Sequence, residues 1–280
     1  MHYGLVIFGK LQIEGETNGR RKQTVQPQSL KPHEDHQVKS LVFAKRYLHA
    51  YGYLNDDQDD DVELGIRKFQ EFYRLNVSGK LDLETIKAMA RPRCGVPDHH
   101  HVSSTSLVND SKYAFFQGNP TWPPSKRSLT YSIDTTNNVV SIDDLRQAFI
   151  RAFGQWTIVT DSKFTFKEVP IGSDIVIGFY SRDHGDNNPF DGRGGVLAHA
   201  FAPTDGRMHL DADEPWSVAV PTPAGSVDLV SVGVHEAGHH LGLHHSQDPN
   251  AVMHAFLGIG ENKRILNLDD IAGIQAPYPN

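Results

Sequence analysis

From about His36 the apolar positions recur with a helical period. Leu41, Ala44, Leu48 and Tyr51 fall at three- and four-residue steps, and Gly52 supplies a stop. Val62, Ile66, Phe69 and Tyr73 give a second helix one apolar face. A third begins on Asp82, a good N-cap, and runs to Met89. This pattern predicts a small all-helical domain over 36–98. Beyond it the period shortens. Residues 129–133 alternate as a strand does, and 164–169, 174–180 and 197–201 also read as strands. Three helices lie among them. One opens on Ser141, with Asp144 three residues on and an apolar face of Leu145, Ala148, Phe149 and Ala152. Another spans about 227–241, and the last starts near Asp269. Strands mixed with three helices predict an α+β domain over 113–280.

The segments between these elements carry the punctuation. Residues 1–35 are polar apart from a short apolar run, and predict a disordered leader. That run is too short for a signal-peptide core and no small-residue cleavage site follows, so no clear signal peptide is legible. The acidic stretch 55–61 reads as a solvated turn leading into a helix N-terminus, with a calcium loop as the alternative. Two prolines and a glycine in 91–98 force extended or turn backbone. Residues 99–112 read as a linker. Its His99, His100 and His101 are adjacent and cannot share one face, which argues against a metal site there.

Composition narrows the classes. Of 280 residues, 38% are apolar and 24 are Gly, which excludes a disordered chain. The formal charge of −7 argues against nucleic acid or an anionic membrane as partner, and no apolar run reaches the ~18 residues of a transmembrane segment. A single Cys excludes an internal disulfide, yet it stands beside 16 His.

The chemistry concentrates in one segment. His235-Glu236-Ala237-Gly238-His239 is followed by Gly242 and then His245. On a helix, His235 and His239 point the same way and can share one Zn²⁺. Glu236 is placed to face a water on the metal and not the metal itself. Gly242 can end the helix in a left-handed conformation and bring His245 round as third ligand. Three protein ligands leave the fourth position open, the mark of a catalytic site. Downstream, Met253 is a candidate apolar floor beneath the imidazoles, and the long pattern with such a Met-turn is the metzincin signature.

On these residues the chain resembles the matrix metalloproteinases, or matrixins, and among them the plant type. Arg93-Cys94-Gly95-Val96-Pro97-Asp98 is similar to that family's cysteine switch, and the helical region before it to the peptidoglycan-binding-like propeptide domain. The resemblance implies a metzincin-type zinc protease domain, a twisted mixed sheet with three helices, following that propeptide. It implies that Cys94 fills the fourth zinc position in the latent form, braced by an Arg93–Asp98 ion pair, until cleavage within 99–115. The chemistry is sound, because a thiolate is an excellent zinc ligand. It implies a second, structural zinc on His184, Asp186, His199 and His209. It also implies a calcium site on Asp191, Asp211 and Glu214 with the carbonyls of Gly192, Gly194 and Val196, and Asp174 as a ligand of a possible second calcium. Asp269 matches the residue that can bind the new N-terminal ammonium.

The resulting expectation is a zinc-dependent endopeptidase made as a zymogen. It would be extracellular by resemblance, act on matrix or cell-wall proteins bound as extended strands along 197–201, and work as a monomer, with an activating protease as a possible partner. Two other classes stay open. One is a non-catalytic glycan- or wall-binding protein, and the other a zinc hydrolase of different amides. Sequons at Asn76 and Asn109 allow glycosylation of a secreted chain.

Overall fold

The computed structural model describes residues 32–54, 61–99, 112–134 and 139–279, with side chains from residue 40 onward. The leader up to residue 31, most of the acidic stretch, and residues 100–111 of the linker and cleavage region, Asn109 among them, lie outside the described residues.

Three helices come first: α1 (Pro32–Ala50), α2 (Val62–Phe72) and α3 (Leu83–Met89). Asp61 and Asp82 cap α2 and α3 by accepting the Leu64 and Thr85 N–H groups at 2.9 Å each. Helix α1 starts at Pro32, not His36, since proline suits a first helical turn. Ala44, Leu48 and Tyr51 face the bundle core as the periodicity predicts, but Leu41 does not and is 49% exposed. The reason is length. At ~1.5 Å per residue, a 19-residue α1 outreaches partners of 11 and 7 residues, so its first turns have nothing described to pack on.

The rest is one sheet with helices against it. Strand β1 (Arg93–Cys94) precedes β2 (Ser128–Ile133), β3 (Thr165–Glu168), β4 (Ile175–Tyr180), β5 (Val196–Ala200) and β6 (Arg207–Asp211), in spatial order β1-β5-β6-β4-β2-β3. Only β5 and β6 pair antiparallel; the other neighbours are parallel. Short strands β7 (Trp216–Ser217) and β8 (Val227–Asp228) form a separate pair. The three expected helices are α4 (Ile142–Val159), α5 (Leu229–His240) and α6 (Leu268–Gln275). The main core joins α4, α5 and the inner face of the sheet around Trp156, Phe149, Ile177 and Leu210. Trp156 Nε1 donates to Val234 O at 2.8 Å, which fixes α4 against α5.

Helices α5 and α6 anchor the remaining loops. Helix α5 is buried along its whole length, which explains a helix without a polar face. Helix α6 carries a capping box of Asn267 and Asp270. The buried Asp270 carboxylate also accepts the N–H groups of Val252 at 2.9 Å and Met253 at 3.0 Å, and so pins the loop that holds Met253. Replacing Asp270 with Ala leaves those N–H groups buried and unpaired. Urea unfolding of Asp270→Ala is expected to show a loss of about 3 kcal/mol, while an unchanged midpoint would mean the loop is held by other contacts.

Candidate metal centres and the propeptide latch

Helix α5 begins on Asp228, whose carboxylate accepts from Ser231 N at 3.1 Å and Ser231 Oγ at 2.5 Å and is also paired with Arg264. It ends at His240, and Gly242 follows with φ +97. A side chain there would meet Pro120 O, so only glycine makes the turn. That turn returns His245 toward His235 and His239. Each ring is oriented by its Nδ1: His235 donates to Val252 O at 2.7 Å, His239 to Leu243 O at 2.8 Å and His245 to Asp98 Oδ1 at 2.7 Å. Their Nε2 atoms therefore turn toward one another. His239 Nε2 is 3.1 Å from His235 Nε2, and His245 Nε2 is buried without a hydrogen-bond partner.

Cys94 completes the group. Its Sγ lies 3.4 Å from His239 Nε2, and the four ligand atoms of Cys94, His235, His239 and His245 lie within 4.8 Å of one another. A tetrahedral zinc with Zn–N of ~2.0–2.1 Å and Zn–S of ~2.3 Å implies N···N edges of about 3.3–3.4 Å and N···S edges of about 3.6 Å. The observed separations fit that ion. Burial holds all three imidazoles well below their usual range, that of His245 at about 3, so their lone pairs are available to a cation. Burial pushes the Cys94 thiol up, and the nearby Glu236 pushes it further. Glu236 is buried with no hydrogen-bond partner for either oxygen, and burial raises its carboxyl to about 8.

The sulfur is delivered by strand addition. β1 lies parallel to β5, with Arg93 N on Gly195 O at 2.7 Å and Gly95 N on Ala198 O at 2.8 Å. On its other side Cys94 N donates to Ala255 O at 2.9 Å, and Leu257 N to Pro92 O at 3.2 Å. The propeptide thus fills a slot between β5 and 255–257. Gly95 is required by closeness, because a Cβ there would stand 2.7 Å from Val196 Cγ1. Arg93 and Asp98 form a fully buried ion pair at 2.7 Å. Three tyrosines of the helical bundle surround it. Tyr53 and Tyr73 donate to Asp98 Oδ2 at 2.7 and 2.8 Å, and Arg93 Nη1 donates to Tyr47 Oη at 2.7 Å. Burial alone would raise the Asp98 carboxyl; Arg93 and His245 outweigh it and hold it well below the usual carboxylate range.

A second group stands behind β5. His199 and His209 face each other across the β5–β6 register, and the loop after β4 adds His184 and Asp186. Asp186 Oδ2 is 2.7, 2.9 and 3.1 Å from His199 Nε2, His209 Nδ1 and His184 Nε2. All four ligand atoms lie within 4.8 Å of one another. Burial lowers His199 to about 4 and lowers His209 as well, which keeps both neutral. Four donors from closed, mostly buried side chains suit a structural zinc.

The carboxylates of the same loop gather separately. Asp191 accepts Val196 N at 2.9 Å, Asp211 accepts Gly192 N at 3.2 Å and Glu214 accepts Gly194 N at 2.5 Å. The structure thus sets the N–H groups of these three residues against the carboxylates. Burial raises all three carboxyls, Glu214 to about 7, and Glu214 Oε2 is buried without a partner. Asp174 is not part of this cluster. Its Oδ1 pairs with Lys126 at 2.8 Å and its Oδ2 accepts Thr130 N and Oγ1 at 2.8 Å, so its carboxylate is already satisfied. Asp269 Oδ1 accepts the N–H groups of Lys112 at 3.1 Å and Tyr113 at 3.2 Å, and its Oδ2 accepts Ser246 Oγ at 2.6 Å. Sequence reasoning missed the tyrosine shell, the Asp98–His245 contact and the Asp270 clamp. Tyr73 stood on the apolar face read for the second helix, but nothing in the spacing of Tyr47, Tyr53 and Tyr73 showed that their hydroxyls would converge.

The chain's likeness to known proteins covers both parts of this geometry. The matrixin family model matches residues 121–279, and a model described as a putative peptidoglycan binding domain matches residues 38–89. Metalloendoproteinase 5-MMP of Arabidopsis thaliana is 40% identical over 266 residues, covering 88% of this chain and 73% of that protein. Metalloendoproteinase 1 of Glycine max is 40% identical over 260 residues, covering 88% of this chain and 84% of that protein. Matrix metalloproteinase-16 of Homo sapiens is 39% identical over 252 residues, covering 83% of this chain and 40% of that protein.

Within α5, Gly238 is fixed by packing. A Cβ there would fall inside the van der Waals shell of Met253 Sδ and 2.8 Å from Trp156 Cζ2. Gly238→Ala is expected to lower stability by about 1–3 kcal/mol despite the better helix propensity of alanine. A stability gain in chemical denaturation would contradict this packing.

Proposed function

The chain belongs to the matrixin family, and we propose that it is a zinc-dependent endopeptidase whose propeptide keeps it latent by seating Cys94 on the catalytic zinc. The single observation that carries this reading is the convergence of three buried imidazole nitrogens and one thiol on a common point, within reach of an unpaired carboxyl. Zinc held by His235, His239 and His245 would polarise the scissile carbonyl and acidify a bound water. Glu236 takes the proton of the attacking water on one carboxylate oxygen and returns it to the leaving amine. Glu236 follows the proposed ligand His235 directly and stands beside the thiol with both carboxylate oxygens unpartnered, which leaves them available to a water at that point. Met253, under Gly238 on α5, is the apolar floor of the centre.

The propeptide blocks this chemistry twice. Cys94 as thiolate occupies the corner that the water needs, and β1 occupies the edge of β5 that an extended substrate would use. The pocket beside the zinc is walled by Leu197, Val232, Val252 and Leu257, with Lys263 at its border, and is the seat for the residue after the cleaved bond. His184, Asp186, His199 and His209 hold a second zinc that ties the 184–195 loop to β5 and β6. Asp191, Asp211 and Glu214 hold calcium, which would compensate three buried carboxylates in one loop. Asp174 is left out, since Lys126 already neutralises it. Asp269, which already accepts the N–H groups of Lys112 and Tyr113, is positioned to take a new ammonium once an activating protease has cut in 99–115.

The domains follow as a helical propeptide over 36–98, a linker over 99–112 and the catalytic domain over 113–280. The substrates are proteins of the extracellular matrix or cell wall, in line with the human relative named a matrix metalloproteinase. The charge of −7 fits a protein partner and no nucleic acid, and no helix among the described residues is long and apolar enough to cross a membrane. Neither proposed zinc group calls for a ligand from a second chain, which is in keeping with a monomer. A non-catalytic wall-binding protein is not favoured, because all three imidazoles and Glu236 are in place around the thiol.

Two variants test this directly. Full-length Cys94→Ser is expected to cleave a denatured protein substrate faster than the untrimmed parent chain but more slowly than the trimmed enzyme, because β1 still lies on β5, and to lose that activity to a strong chelator. If it is no faster than the untrimmed parent and retains its zinc, the thiol adds nothing to the block made by the strand. Trimmed Glu236→Ala is expected to keep its zinc by metal analysis but to lose about 10²–10⁴-fold in turnover; near-normal turnover would take the general-base role away from Glu236.

A further inference from the structure

The three zinc imidazoles are not oriented by equivalent partners. His235 and His239 give their Nδ1 protons to the main-chain carbonyls of Val252 and Leu243, which stay with the catalytic domain. His245 gives its proton to Asp98, and Asp98 belongs to the propeptide. The acceptor is a carboxylate, the strongest of the three, and it is the only one lost when the propeptide is removed.

Asp98 is also the best-held of the three acceptors. Its Oδ1 is 2.7 Å from both His245 Nδ1 and Arg93 Nη2. Its Oδ2 accepts from Tyr53, Tyr73 and Arg93 Nη1 at 2.7, 2.8 and 3.1 Å. The carboxylate is completely buried, and the tyrosines that fix it come from the helical bundle. A carboxylate so placed behind a metal-binding imidazole fixes the ring and raises its basicity as a ligand. Loss of such a partner typically costs 10–100-fold in metal affinity.

We propose that Asp98 is a positioning residue for the zinc ligand His245, so that the latent chain grips its catalytic zinc more tightly than the trimmed enzyme does, through a route separate from Cys94. The relation is reciprocal: zinc bound at His245 also fastens the propeptide. The propeptide therefore has two holds on the centre, one through sulfur and one through the far side of an imidazole. Activation breaks both, and His245 must then turn its Nδ1 proton to another acceptor. This inference rests on the zinc centre proposed above.

The test uses the full-length chain carrying Glu236→Ala, which cannot trim itself. Zinc release into excess chromogenic chelator is followed with and without Asp98→Asn, in the presence of Cys94 and again with Cys94→Ser. Asp98→Asn is expected to speed release by at least tenfold in both backgrounds. With cobalt in place of zinc, the sulfur-to-metal charge-transfer band should persist in the Asp98→Asn chain that retains Cys94, which reports the latch still seated. Release unchanged within twofold while that band persists overturns the proposal and leaves Asp98 as a brace for Arg93 alone. A second measurement needs no change at Asp98. In ¹⁵N-labelled Glu236→Ala chain, the His245 Nδ1 proton should be protected from exchange before the propeptide is cut and exchange rapidly afterwards. An equally exchanging proton in both forms overturns the proposal even if Asp98→Asn does not fold. Absence of any zinc from the purified chain would sink the centre itself, and this inference with it, whereas zinc bound with unchanged release sinks only the inference.

Discussion

Three imidazole lone pairs and a thiol are held against each other in a fully buried site, with every Nδ1 proton already committed elsewhere. Two unprotonated nitrogens 3.1 Å apart repel, and burial keeps both neutral. A metal cation would resolve this arrangement, and the donor set suits zinc. The rest of the architecture can be traced to that demand. Helix α5 is buried on all sides and would carry two of the proposed ligands into the interior. Gly242 turns the chain so that the third can return. The Met253 loop, clamped by Asp270 on α6, closes the site from below.

In the proposed latent form, the block would belong to the whole folded propeptide and not to one sulfur. A buried ion pair such as Arg93–Asp98 is costly to desolvate and stabilises little unless its remaining hydrogen-bonding capacity is met. Here Tyr47, Tyr53, Tyr73, His245 and the Cys94 carbonyl meet it. Tyr47 and Tyr53 belong to the bundle core and Tyr73 packs against it, so these hydrogen bonds to the pair depend on the folded bundle. β1 then adds main-chain hydrogen bonds on both of its edges. The helical domain acts as a rigid mount that sets the ion pair, the ion pair sets the 93–98 loop, and the loop sets Cys94 Sγ.

What could be read from the sequence was local. Two histidines four apart, a glycine three residues later and a third histidine three beyond it report a helix and a turn, and geometry does the rest. The Pro and Gly of 91–98 announced extended backbone, though not that it would pair with β5. Strand β6 escaped notice because its alternation rests on only two apolar residues, Met208 and Leu210, in a five-residue strand whose polar positions include His209 and Asp211. The 184–214 residues acquired a role only through family resemblance, since nothing in their spacing shows that His199 and His209 will face each other across two strands. Leu41 misled because periodicity says which face is apolar but not how far the partner helices reach. The Asp98–His245 contact spans 147 residues and has no local signature at all.

X-ray absorption at the zinc edge of the untrimmed chain tests the central claim most directly. The account predicts a mixed shell averaged over two zinc ions, dominated by nitrogen and oxygen at about 2.0–2.2 Å, with one sulfur per chain at about 2.3 Å that disappears when the propeptide is removed. A shell without sulfur in the untrimmed chain, or one whose sulfur survives trimming, would contradict it.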